Sequence, residues 1–238
     1  LWELVVIAGF LPRYLVPSFT DVLRALYYLI YTGVLPGNYA MSALRALLGF
    51  VLGTTVGIAL GVSISAKSIQ NLVQPVVTLL FTVPSVAWVP ILIVWIGIKE
   101  IELPLATSFI CSFPPVLYGT INSFRTVDIE QVEVARILGA KPRDILFRVV
   151  MPQVFLKLLP VIKVEAVMVW KTVFVTEMVA LSTGLGYLAM VYATTLDMDK
   201  LLASIAVLSL TTLAIVQGFD YIESRFSRKW LGGVAWSR

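Results

Sequence analysis

The chain has 238 residues, of which 59% are hydrophobic and 13% charged, with a formal net charge of +4 and a mean hydropathy of +0.92. Soluble domains carry about 25% charged residues, so this composition describes an integral membrane protein. With no histidine and one cysteine, Cys111, it excludes histidine-based proton transfer, histidine or thiolate metal clusters and internal disulfides.

The first apolar run, Leu1 to Leu11, is too short to cross a bilayer, which takes about 20 helical residues. No basic leader precedes it and no small-residue cleavage site follows, so it reads as the end of a truncated first transmembrane helix. After a break at Pro12 to Pro17, residues 18–31 read as an interfacial helix. Val22, Leu23, Leu26, Leu29 and Ile30 supply an apolar face, and Tyr27, Tyr28 and Tyr31 suit an aromatic belt. The alternative is a packed helix in a small extramembrane cap.

Tyr39 to Ala66 is long enough to span, and Gly49, Gly53, Gly57 and Gly61 line one face of it, where another helix can approach closely. Its tail, Gly61 to Ser68, comes within one residue of a phosphate loop. The final glycine is Ala66 and no buried strand precedes it, so the likeness is coincidental. Asn71 to Ile98 is a third span interrupted by Pro75, Pro84 and Pro90, which predicts a bend or an unwound segment of the kind that lines pathways. Glu100 and Glu102 form a short acidic connection to a fourth span, Leu103 to Phe124, with Pro114 and Pro115 inside it.

The stretch from Asp128 to Pro152 breaks this apolar pattern. Asp128 followed by Gln131 resembles a capping box, and Ile129, Val132 and Leu138 form one apolar face. Gly139 suits a left-handed helix end and Pro142 the first turn of the next helix, with Pro152 opening another apolar run. The fifth span, Val154 to Ala180, carries Lys163, Glu165, Lys171 and Glu177. A charge near the bilayer centre costs at least about 2.5–3.5 kcal/mol, so these side chains face protein or water. Lys163 and Lys171 fit either a favourable potential for an anionic solute or ion pairs within the membrane, and Lys171 is the deeper. A helix within 182–197 is too short to span, Leu201 to Phe219 is the last span, and Arg225, Arg228, Lys229 and Arg238 form a basic tail. The total is about six transmembrane helices. With Asp128 to Pro152 on the cytoplasmic side, eleven lysines and arginines lie there and five lie opposite, as the positive-inside rule favours.

Glu133-Val134-Ala135, then Gly139, then Val149 to Pro152 resemble in spacing the coupling-loop signature of binding-protein-dependent ABC importer permeases: Glu-Ala-Ala, Gly, Ile-x-Leu-Pro. Val134, Val149 and Met151 depart from it by apolar substitution. Pro84 to Pro90, Trp95 to Gly97, Trp170, Thr176 to Met178 and Gly184 to Leu188 resemble the nitrate/sulfonate/taurine branch of that family.

The resemblance implies an all-α type I importer permease in the cell membrane. Residues 1–238 would form a single permease domain, 125–152 a cytoplasmic coupling loop, and 182–197 an extracytoplasmic loop. It implies coupling to an ATP-binding subunit through Glu133, Ala135, Arg136, Gly139, Ala140 and Pro152, and a substrate pathway including Pro84, Trp88, Lys171 and Glu177. The implied partners are ATP-binding subunits that hold ATP and magnesium, an extracytoplasmic substrate-binding protein and a second permease copy. The chain itself would be no enzyme, holding no cofactor, metal or nucleic acid. The implied solute is a small anion such as a sulfonate, taurine, nitrate or bicarbonate, with a vitamin precursor as the alternative.

The residues support this independently. No ATP-binding motif occurs, so energy comes from another chain, and the extracellular connections are too short for a capture domain. A self-contained secondary transporter or channel would leave the coupling loop unexplained, and the internal repeats of such folds are absent.

Overall fold

A computed structural model describes Glu3, Val6 and residues 15–65 and 70–230, and among them every regular element is helical. Most of the expected first span, Ala66 to Ser68 and Arg238 lie outside the described residues. Helix α1, Phe19–Tyr31, is capped by Ser18, whose side chain accepts from the Asp21 amide while the Asp21 carboxylate accepts from the Ser18 amide. It buries Val22, Ala25 and Leu29, and exposes a second apolar stripe of Leu23, Tyr27, Ile30 and Tyr31.

Helix α2, Val34–Ser65, starts five residues before the expected Tyr39, because Pro36 falls in its first turn, where a missing amide costs nothing. Gly61 to Ser65 belongs to this helix, so that part of the phosphate-loop likeness has no loop geometry. The third span is broken as expected. Helix α3, Gln70–Thr82, ends before Pro84, a 3₁₀ turn covers Ser85–Trp88, and α4, Val89–Ile96, carries Pro90 in its first turn. Helix α5, Glu102–Arg125, is followed by α6, Ile129–Ile137, and α7, Pro142–Ile145.

Pro152 does not open a new helix. Helix α7, a π-helical turn at Leu146–Val150 and α8, Met151–Ala180, make one continuous helix of 39 residues, Pro142–Ala180. The Met151 amide reaches back five residues to the Leu146 carbonyl, and this widened turn absorbs the proline. Helix α9, Leu185–Thr194, is short, and α10, Met198–Trp230, runs on past Phe219. The described basic residues of the expected tail therefore continue a helix.

Among the described residues Val34–Ser65, Pro142–Ala180 and Met198–Ser227 are long and apolar enough to span, and α3 and α4 pass the same test only when taken together as one span. Helix α5 is long enough, at roughly 36 Å, but less apolar, because Thr107, Ser108, Ser112, Thr120 and Ser123 are all buried along it. It needs these hydroxyls less for lipid than for its neighbours.

The described chain divides into two compact units, each assembled from three stretches. The first comprises Leu1–Phe50, Pro84–Phe109 and Val169–Leu213. Within it Gly49 packs on Ser108, Tyr39 meets Trp170 edge-on at 5.9 Å, and the Trp170 indole donates to the Leu208 carbonyl at 3.3 Å. The second comprises Val51–Val83, Ile110–Met168 and Ala214–Arg238. Within it Gly53 and Gly61 lie so close to Ser112 and Thr120 that a Cβ at either would clash, and a Cβ at Gly57 would press on Val116 at 3.0 Å. Val77, Leu117 and Ile121 form its apolar core.

Candidate functional site

The polar stretch of the second unit is built on caps. The Asp128 side chain accepts from the Glu130 amide at 3.0 Å and starts α6. The reciprocal half of the expected capping box comes from elsewhere, since the Asp128 amide donates to Gln153 Oε1 on α8 at 2.9 Å. Gln153 Nε2 donates to Gln131 Oε1 at 3.1 Å, and Gln131 Nε2 donates to Asp128 Oδ2 at 2.9 Å. These bonds close a ring that ties the start of α6 to α8. Lys157 adds a bond to the Thr126 carbonyl.

At its other end α6 closes in a Schellman turn. The Gly139 amide donates to the Arg136 carbonyl at 3.0 Å, the Ala140 amide to the Ala135 carbonyl at 3.1 Å, and Gly139 has φ +80°. Between α6 and the first turns of α8 lies an open groove of about 780 Å³. Ala135 and Pro152 both line it, with Val134, Leu138 and Gln153. Arg136 and Ala140 line a second hollow of about 440 Å³ against Ile145 and Val150. Glu133 and Gly139 are exposed and line neither. No residue of α6 is buried, and Ile137 and Leu138 are 84% and 81% exposed.

The residues expected along a pathway fall in the first unit. Pro84 is exposed at the break, and Trp88 sits half-buried in the 3₁₀ turn, its indole N–H without a hydrogen bond among the described residues. Ser85 and Thr172, beside Pro84 and Lys171 in sequence, are 2.9 Å apart, so the break lies against α8. Lys171 is exposed on α8. Glu177 is fully buried six residues on, about 240° around the helix from Lys171.

Glu177 stands in a cluster that the charge count missed. Arg45 of α2, with no exposed side-chain surface, donates to Glu177 Oε1 at 2.8 Å and pairs with Glu100. It also donates to the Thr183 carbonyl at 2.9 Å and Thr183 Oγ1 at 2.7 Å. Ser42 Oγ lies 2.7 Å and 2.9 Å from the two Glu177 carboxylate oxygens and accepts from the Leu185 amide at 2.9 Å. The Glu177 carboxylate also accepts from the Gly186 amide at 3.0 Å, so it caps the N-terminus of α9. A Cβ at Gly184 would strike that carboxylate, and one at Gly186 the Phe174 carbonyl. The glycines and Glu177 are thus parts of a single joint.

Burial alone would raise the Glu100 carboxyl, but hydrogen bonds from Thr183 and Ser182 and the Arg45 charge outweigh it and hold the pKa below the usual 4.5. The signal for Arg45 was available, because a lone arginine deep in an apolar run needs a buried partner. Arg45 is one of the five lysines and arginines placed opposite Asp128 to Pro152 by the positive-inside count, and it lies instead inside α2.

A family model described as "Binding-protein-dependent transport system inner membrane component" matches residues 53–230. The chain belongs to this family. The matched region of this inner membrane component includes all of α6 to α9 and the ring at Asp128, Gln131 and Gln153. A putative ABC transporter permease of Methanocaldococcus jannaschii is 34% identical over 198 residues, 82% of this chain and 73% of that protein. A putative aliphatic sulfonates transport permease of Escherichia coli is 31% identical over 214 residues, 88% of this chain and 80% of that protein. Among solved structures, a chain of the inward-facing MetNI methionine ABC transporter superposes with a TM-score of 0.61 at 19% identity, covering 85% of this chain and 98% of that one. At that identity the likeness speaks for the type I permease fold.

Proposed function

We propose that this permease couples ATP hydrolysis on a separate ATP-binding subunit to uptake of a small organic or inorganic anion, working as two copies that receive solute from an extracytoplasmic binding protein. The observation that carries the reading is the ring of Asp128, Gln131 and Gln153, which fastens an exposed helix to a continuous helix of 39 residues. An arm so fastened transmits displacement, and the uncovered side chains of Ile137 and Leu138 beside the groove give a partner something to grip. In this reading the arm and the C-terminus face the cytoplasm, as the distribution of lysine and arginine favours.

Ala135 admits a close approach, Gly139 makes the turn, and Glu133 and Arg136 offer exposed charges to the partner. Lys171 is the group chosen for the pathway, since an exposed cation on a spanning helix favours an anionic solute. The sulfonate named for the Escherichia coli relative supports an alkanesulfonate or taurine as cargo. Glu177 serves instead as the buried anchor of α9.

The test is uptake of radiolabelled taurine into proteoliposomes holding the permease, its ATP-binding subunit and its binding protein. Uptake is expected only with ATP and all three components. Uptake by the permease alone, without nucleotide, would overturn the coupling reading.

A further inference from the structure

Lys163 on α8 donates to Asp220 on α10 at 2.7 Å and lies 3.4 Å from Glu223, one turn further along. Eight residues back on α8 and six residues on along α10, the rings of Phe155 and Phe226 meet at 4.8 Å. The two helices therefore run antiparallel here and are joined at two levels, one ionic and one aromatic, all within the second unit.

The position of this joint follows from length. Pro142–Ala180 is about 58 Å long against a hydrocarbon core of about 30 Å, so its first turns project beyond the membrane. The apolar run of α10 stops at Phe219, and the helix continues to Trp230. Both helices thus overrun the same face of the bilayer, and the joint lies where they leave it. The Asp220 and Glu223 side chains are 55% and 38% exposed, and ion pairs this open add little to stability. What a lysine held between two acids one turn apart does set is register, because sliding either helix by a turn breaks at least one bond.

We infer that α10 from Asp220 to Phe226 is a brace for the projecting part of α8, holding it in register so that α6, the first turns of α8 and the end of α10 move as one body. This rests on the coupling reading above. Lys163 and Asp220 act on transport through the position of α8, as positioning residues.

Two measurements test the brace. In the assembled transporter, carrying Glu223→Gln throughout to leave one pair, Lys163→Glu and Asp220→Lys should each lower taurine uptake per ATP hydrolysed about fivefold or more. Combining them should restore the ratio to within about twofold of the Glu223→Gln parent. Unchanged ratios in the single variants, or no restoration in the exchange, would overturn the brace. Independently of any solute, Phe155→Cys with Phe226→Cys, in a Cys111→Ser background, should cross-link in membranes equally with ATP and vanadate and without nucleotide. A yield that collapses in one state would show the helices parting and would also overturn it. A parent complex without ATP-dependent uptake would instead count against the proposed function, and the cross-link would still report on the brace.

Discussion

Arg45 and Glu177 have no exposed side-chain surface and lie on helices that span. Neither charge could be carried there alone, and each is engaged on several sides, by Glu100, Thr183 and Ser42 and by the amide that opens α9. Removing one partner leaves the other buried and unpaired, a loss of about 3–5 kcal/mol. Arg45→Ala is therefore expected to lower the thermal midpoint of the detergent-solubilised permease sharply. Arg45→Lys should recover little, because one ammonium cannot reproduce the fork that reaches Glu100, Glu177 and Thr183 together. Glu100 adds a pH dependence of known sign. Its folded pKa lies below 4.5, so the stability it contributes is fully present above that value and is lost as pH falls through the lowered one. Thermal midpoints should be flatter below pH 4.5 for Glu100→Gln than for the parent, and identical slopes would remove Glu100 from the cluster's energetics.

At the scale of the element, α6 owes its rigidity to its two ends. Gly139 holds φ +80°, where a β-branched side chain is strained by about 1–3 kcal/mol. Nothing lies within 4 Å of where its Cβ would be, so the strain would be in the backbone alone. Gly139→Val should insert normally and lose most ATP-dependent uptake, measured in membranes with expression checked by blotting. Full uptake would detach the turn from coupling. The punctuation of this stretch was legible in the residues: Asp128 as cap, Gly139 as stop and Pro142 as restart all stand where local chemistry puts them. The partner of the Asp128 amide was not, because Gln153 is 25 residues away and only folding brings it near. Pro152 misled for a related reason. A proline after a polar stretch reads as a boundary, but a π turn lets a helix keep its course through it.

Across the whole molecule, the three long apolar helices Val34–Ser65, Pro142–Ala180 and Met198–Ser227 were legible because lipid demands long apolar runs, and the break at Pro84 because proline cannot be hidden. Burial among helices leaves a weaker trace. The hydroxyls along α5 and the arginine in α2 make sense only once their neighbours are known, whereas the glycine ladder of α2 was legible as a face for close approach and does face Ser108, Ser112 and Thr120. The uncovered side chains of α6 carry a practical consequence for the newly made protein. Ile129, Val134, Ile137 and Leu138 are all exposed along this arm. Such a surface is what chaperones and quality-control proteases recognise, and what adheres to its like at high concentration. Made without its ATP-binding chain, the permease should be cleared faster in cells and should run as concentration-dependent aggregates on size-exclusion chromatography. Ile137→Ser with Leu138→Ser should suppress both effects. The supply of the partner would then set how much transporter a cell keeps, with the orphan arm serving as the tag for disposal.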